Sequence, residues 1–168
     1  MKNNLIYRKG VPEDTTQLKQ LGLISYTQYS MVLEESSWDN FYKFIDNDDS
    51  WVNLIKQGHS VVCEQDNKIV GMAFLIPSGN PTKIYPADWS YIRMVGVDPK
   101  FRGKGVGKQL TRMCIDLAQS LGEKVIALHT SEFMDAARDL YENLGFRIIK
   151  ELDPMFGKRY WLYKLDIR

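Results

Sequence analysis

"VDPKFRGKGVGKQLTR", residues 97–112, sets Gly103, Gly105 and Gly107 on alternate positions among five basic side chains, with no acid after Asp98. Before it, "WSYIRMVGV" reads as a strand that ends at Asp98 and Pro99, because proline cannot donate to a ladder. After it, Leu110, Met113, Cys114, Leu117, Ala118 and Leu121 follow helical spacing from Val106, and Gly122 stands where a helix C-cap belongs. A bare, positive backbone between a strand and a helix suits an anion, and a phosphate chain above all, since exposed N–H groups and a helix N-terminus bind one together.

Spacing separates the known phosphate loops. A nucleotide-triphosphate loop needs glycine five residues before Gly107 and Ser or Thr after Lys108 to hold magnesium, where this chain has Arg102 and Gln109. A dinucleotide GxGxxG needs glycine at 108 or 110 and meets Lys108 and Leu110. What remains is Arg-x-x-Gly-x-Gly, formed by Arg102, Gly105 and Gly107.

Upstream, "NLIYRKG" alternates as a strand, and "VPEDTTQLKQLGLISYTQ" opens a helix with Pro and acids in its first turn. One or two short helices are expected around Trp38, Phe41, Phe44 and Ile45, before Asp48, Asp49 and Ser50 break the run. "SVVCEQDNKIVGMAFLI" gives two strands about the turn "QDNK". Downstream, "KVIALHTS" is a continuous apolar strand suited to burial on both faces, and "DAARDLYENLGF" is a helix closed by Gly145. The strands "FRIIKEL" and "RYWLYKLDI" flank a turn-rich "DPMFGK".

A chain of 168 residues, 44% hydrophobic and 26% charged, is sized for one domain, expected over residues 1–168. With 22 basic against 21 acidic groups, the chain as a whole carries no polyanion-binding signature, so a phosphate site must be local. Cys63 and Cys114 lie in apolar runs without CxxC or histidine spacing, which argues against zinc and against a disulfide framework. The N-terminus "MKNNLIYRKG" lacks an apolar stretch of signal length and no window approaches a membrane span, so the expectation is a soluble, cytoplasmic protein with no membrane partner.

The loop resembles the coenzyme A loop of the GNAT superfamily of N-acetyltransferases. "AARDLYENLGF" resembles that family's next helix, with its A-x-x-L-Y-E-x-x-G-F pattern, and the apolar strand between the two stands where the family has one. The motifs span about residues 91–146. The resemblance implies an α/β fold with a central mixed sheet of about seven strands flanked by about four helices, and transfer of the acetyl group of acetyl-coenzyme A, as co-substrate and without a metal, directly to a primary amine.

It also implies a site. Backbone N–H groups from Gly103 through Lys104, Gly105, Val106 and Gly107 to Lys108, beside Arg102, would face the pyrophosphate, with the glycines allowing close approach. Val95, Gly96 and Val97, on a strand that diverges from its parallel neighbour in the family, would run along the pantetheine arm. A backbone N–H near Val95 would be the oxyanion donor; for Gly96 a packing or bulge role is equally open. Tyr141 holds the position of the family's general acid, and by spacing it also belongs to an apolar stripe with Ala137, Leu140 and Leu144.

Two features depart from the family. Met134 stands where Asn is frequent, seven residues before that tyrosine, and "WSYIRMV" lacks the Glu that many members use to relay the amine's proton. Ordered water, Glu64 and His129 stay open as the base, although a histidine at such a strand position is more often a satisfied core histidine; His59, beside Gly58, reads as a loop residue.

Acceptor choice in the family lies in the first helices and the loop before the central strand, here about residues 26–51 and 77–89. Six acids, Glu34, Glu35, Asp39, Asp46, Asp48 and Asp49, stand there against Lys43 alone, interleaved with Trp38, Phe41, Tyr42 and Phe44. They read either as an acidic aromatic mouth for a cationic small-molecule amine or as the solvated face of an amphipathic helix. A protein or peptide N-acetyltransferase and a non-catalytic acyl-coenzyme A sensor are the alternatives; a homodimer is compatible with either. Nucleic acid is not an expected partner, because acidic segments offset the basic loop and Phe101 is its only stacking aromatic.

Overall fold

The computed structural model describes residues 4–167; Met1, Lys2, Asn3 and Arg168, which belong to the expected domain, lie outside the described residues. The chain begins with β1 (Ile6–Lys9), a 3₁₀ turn at Pro12–Asp14, and α1 (Thr15–Tyr26). Arg8 forks onto Asp14 at 2.8 and 2.9 Å and reaches Glu64 at 3.1 Å, which fixes the entry to α1 against the sheet. That guanidinium holds the Asp14 carboxyl below its ordinary range.

After a 3₁₀ stretch at Thr27–Met31 come α2 (Glu35–Ile45) and α3 (Asp48–Gln57). The break between them is a cap: Asn47 Oδ1 accepts the Asp49 N–H at 2.9 Å. The segment is therefore two helices, which brings the total among the described residues to five where about four were expected.

β2 (His59–Gln65) and β3 (Lys68–Ile76) form a hairpin whose turn residues, Asp66 and Asn67, sit at φ 51° and 64°, a region these two side chains tolerate. The remaining elements are β4 (Ser90–Val97), α4 (Val106–Ser120), β5 (Val125–Ser131), α5 (Asp135–Asn143), β6 (Arg147–Met155) and β7 (Lys158–Asp166). β6 runs on through Asp153 and Pro154 into the stretch expected to be a turn, and the chain reverses only at Phe156 and Gly157. Proline is tolerated there because β6 is an edge strand and its missing N–H leaves no inner partner unpaired.

The sheet order is β1-β2-β3-β4-β5-β7-β6, antiparallel throughout except for β4 and β5, which run parallel. One face is covered by α1, α2 and α3, where Leu18, Leu21, Ile45, Trp51 and Leu54 pack on Phe74, Ile76 and Tyr91. On the other face Leu110, Cys114 and Ala118 of α4 and Tyr141 of α5 pack on Val61, Cys63, Leu75 and Ile126. Both cysteines are free and buried, and His59 is the exposed first residue of β2. Among the described residues no helix is long and apolar enough to cross a membrane.

Gly22 sets how closely α1 approaches α3. A Cβ at this position would lie 2.4 Å from Cζ2 of Trp51, which is fully buried and donates its indole N–H to the Ile45 carbonyl at 2.9 Å. Gly22→Val is expected to lower the free energy of unfolding by about 1–3 kcal/mol through overpacking, read from the midpoint of a urea titration at constant slope.

Candidate active site

The two halves of the sheet meet at β4 and β5, and their ladder holds for only two residue pairs, Ser90 with Ile126 and Tyr91 with Ala127. Beyond these pairs β4 stays with β3 while β5 stays with β7. A bulge in β4 marks the parting. The β3 register passes from Phe74 opposite Arg93 to Met72 opposite Gly96, so Met94 and Val95 together face Ala73. Met94 adopts φ 56°, unusual for a side chain of its size. As a result Arg93 and Met94 both lie on the α1–α3 face, whereas Val95 packs toward α4.

A cavity of about 380 Å³ fills the opening. On the α4–α5 side it is bounded by Val95 and by Tyr141, the one residue of α5 that is buried. Among the described residues nothing hydrogen-bonds the Tyr141 hydroxyl. Burial first, and then Tyr29 and Cys114, push the phenol above its ordinary pKa, so it keeps its proton at neutral pH. The stripe reading of Tyr141 is also met, since Ala137, Leu140 and Leu144 pack beside it. Met134 lines the cavity and accepts Thr130 Oγ1 on its sulfur at 3.4 Å.

The opposite side is a set of aromatic rings drawn from four segments. Tyr26 meets Phe41 edge-on at 5.5 Å, Tyr29 meets Phe133 edge-on at 5.0 Å, and Phe41 meets Phe156 at 5.5 Å. Sequence reasoning missed Phe133 and Phe156, whose only advance signal was an aromatic within a connection. Tyr26 also donates its hydroxyl to the Val95 carbonyl at 2.9 Å, satisfying a backbone group that the bulge removes from regular pairing.

Among the described residues, none that lines the cavity carries a carboxylate, and Arg93 is the single charged side chain there. The six acids of residues 34–49 are all exposed, Asp46 and Asp48 facing Lys19 at 3.6 and 2.7 Å. The solvated-face reading therefore holds for them. Glu64 is tied to Arg8 and lies outside the cavity, so it is no base for chemistry there.

His129 does line the cavity, with Nδ1 2.6 Å from the Tyr85 hydroxyl; Tyr85 in turn stacks on Tyr91 at 4.1 Å. Burial, helped by Arg93, holds the His129 imidazole down at about 4, so it is neutral at physiological pH.

The glycine loop lies at the far end of β4. The Asp98 N–H bonds to the Val70 carbonyl at 2.8 Å and its carboxylate caps Lys100 N at 2.9 Å, opening the 3₁₀ turn Pro99–Phe101. Gly103 and Gly105 take φ 75° and 79°, and a Cβ on either would meet no atom within 4 Å. Gly105 is the N-cap of α4 and offers no side chain to it, leaving the first-turn N–H groups at Val106, Gly107 and Lys108 for an outside acceptor. These features fit a phosphate chain.

Gly107, by contrast, is helical, with ordinary contacts to Leu140 and Val97. Gly96 is a packing position, where a Cβ would come within 2.8 Å of Ser25 Oγ and 2.9 Å of Met72 Cε. Arg102 turns its guanidinium onto the end of α1, donating to the Ser25 carbonyl at 2.9 Å and to Gln28 Oε1, so its side chain braces the loop. Lys104 lies over the Phe101 ring at 5.1 Å, and Lys108 is exposed. Among the described residues no group of three or more His, Cys, Asp or Glu side chains converges to hold a metal.

The half-buried, neutral His129 makes stability depend on pH with a definite sign. Its folded pKa of about 4 lies below the 6.5 of a free imidazole, so the unfolded chain binds the extra proton and stability falls as pH drops from about 6.5 toward 4. Between pH 7.5 and 5.0 this single group is expected to remove about 2 kcal/mol. His129→Asn should flatten that part of the slope in urea titrations at the two pH values.

Comparison with known proteins agrees with this geometry. A model of the acetyltransferase (GNAT) family matches residues 24–146. N-acetylaspartate synthetase of Danio rerio is 40% identical over 62 residues, 37% of this chain and 22% of its own length. N-alpha-acetyltransferase 30 of Schizosaccharomyces pombe is 34% identical over 76 residues, 45% of this chain and 47% of its own. The chain thus spans about half or less of the length of such curated relatives. The crystal structure of PaiA N-acetyltransferase from Thermoplasma acidophilum in complex with coenzyme A superposes with a TM-score of 0.76 at 15% identity, covering 96% of this chain and 99% of that one. With the parted strands, the bare loop at the start of α4 and a family match across both, the chain belongs to the acetyltransferase (GNAT) family.

Proposed function

We propose that this chain transfers the acetyl group of acetyl-coenzyme A to a primary amine of a small molecule. The observation that carries the acceptor half of this reading is the ring set of Tyr26, Tyr29, Phe41, Phe133 and Phe156 around a cavity of about 380 Å³, the size of a small-molecule site. A protein or peptide acceptor calls for an open groove in that place. The relatives' names do not choose between the two, since one is an N-acetylaspartate synthetase and another an N-alpha-acetyltransferase. A silent sensor of acyl-coenzyme A is disfavoured by a protonated tyrosine bordering the cavity, which binding alone does not require.

When bound, acetyl-coenzyme A supplies an activated acetyl group. The N–H groups from Gly103 to Lys108 hold the pyrophosphate, with Lys104 and Lys108 adding long-range attraction and Arg102 keeping the loop against α1. The β4 backbone at Val95, Gly96 and Val97 orients the pantetheine arm. The Val95 N–H, beside the bulge, stabilises charge on the carbonyl oxygen as the amine adds. Tyr141 holds the proton needed by the departing sulfur. The rings exclude bulk water, and an ordered water molecule takes the amine's own proton.

Tyr141→Phe keeps the ring and removes only the acid. It is expected to lower kcat by roughly 10² to 10⁴ while the melting temperature and calorimetric affinity for acetyl-coenzyme A stay near those of the parent; full activity in the Phe variant would leave the sulfur's proton to water. Gly105→Val places a β-branched residue at φ 79° and should abolish acetyl-coenzyme A binding in the same calorimetry. Gly79→Val, at φ 94° in a loop that contributes neither to the glycine loop nor to the lining of the cavity, carries a similar backbone cost and should bind acetyl-coenzyme A normally.

A further inference from the structure

Resting on the reading of the cavity as an acceptor pocket, we infer that Arg93 binds a carboxylate of the acceptor, so that the substrate is an amino acid with an apolar or aromatic side chain and not a simple cationic amine. Arg93 is half-buried at the bulge, held opposite Phe74 in the ladder and over the Phe44 ring at 5.7 Å. Among the described residues its guanidinium makes no ion pair and no hydrogen bond. Asp49 borders a shallow groove that Arg93 also lines, yet the two form no ion pair.

A guanidinium with all its donors free, fixed against a ring, presents the planar fork that matches a carboxylate. Around it the cavity holds no anion to attract a cation. His129, whose imidazole feels the Arg93 charge, is neutral, leaving one net positive charge to be matched by one negative charge on a ligand. Apart from Thr130, whose hydroxyl is turned onto the Met134 sulfur, the remaining lining is apolar or aromatic, which suits a hydrophobic side chain carried on the same small molecule. A carboxylate seated on Arg93 would also anchor the amino acid, leaving its amine to reach the gap between β4 and β5.

The test is a panel of leucine, methionine, phenylalanine, tyrosine and tryptophan, each beside its amide and its decarboxylated amine. Coenzyme A release is followed with the parent, Arg93→Gln and Arg93→Lys, and kcat/KM is corrected for the fraction of free amine. The parent is expected to prefer at least one free amino acid over its two uncharged-end counterparts by about 10- to 100-fold, the worth of a charge-assisted contact. Arg93→Gln should erase that preference and Arg93→Lys restore part of it. A parent that treats acid, amide and amine alike, or a preference that survives in Arg93→Gln, overturns the inference while leaving the transfer reading intact. Calorimetry of the same amino acids with the coenzyme A-loaded protein separates the converse: binding that depends on Arg93 without turnover upholds the carboxylate site and removes the transfer. Absence of both binding and turnover across the panel overturns the inference.

Discussion

The parallel ladder between β4 and β5 lasts two residue pairs, and the rest of the molecule follows from its brevity. A third pair would close the sheet and leave no cavity. What stops it is the extra residue in β4, where Met94 and Val95 stand opposite Ala73 and Met94 takes a left-handed conformation that the surrounding packing imposes. The freed backbone is not left bare, because Tyr26 reaches from the end of α1 to the Val95 carbonyl. α1 is thus part of the site although it contributes little to its chemistry. Its position depends in turn on Gly22 against Trp51 and on Arg102, which donates to the Ser25 carbonyl near its end.

Charge is sorted by this architecture. Acidic side chains occupy the outer surface of α2 and the start of α3, basic ones surround the glycine loop, and among the described residues Arg93 is the one cation that lines the cavity. The same cation adds to burial in depressing the His129 imidazole and pulls the Tyr85 phenol down against the larger upward pull of burial. In both cases burial is the larger cause and Arg93 the second, so one residue of β4 adds its charge to what burial does on β5 and in the loop before β4.

The parts of this arrangement that obey local rules were legible in the sequence. The loop at 103–108 announced itself by glycine spacing, α4 by the period of Leu110, Cys114 and Ala118, and the β2–β3 hairpin by the polar turn at Asp66 and Asn67. What depended on tertiary context was not legible. Met94 carries no glycine or proline to mark a bulge, and the ring wall joins α1, α2, the β5–α5 connection and the β6–β7 turn, far apart along the chain. Arg102 fitted a phosphate motif by type, yet its guanidinium found the Ser25 carbonyl. Six acids among aromatics were compatible with a mouth and with a wet surface, and only their outward direction decided. Pro154 suggested a turn because an edge position could not be known before the strand order was.

The two cysteines lie on the α4 side of the sheet, fully covered, and burial pushes the Cys114 thiol up to about 12 and raises that of Cys63. Neither supplies appreciable thiolate near neutral pH, and thiolate is the form that attacks a disulfide reagent. The folded chain is therefore chromogenically silent toward aromatic disulfides, and colour that develops in its presence belongs to sulfur freed from the donor. Loss of the native packing would expose both thiols at once, so the same reagent that counts turnovers would also register a molecule coming apart.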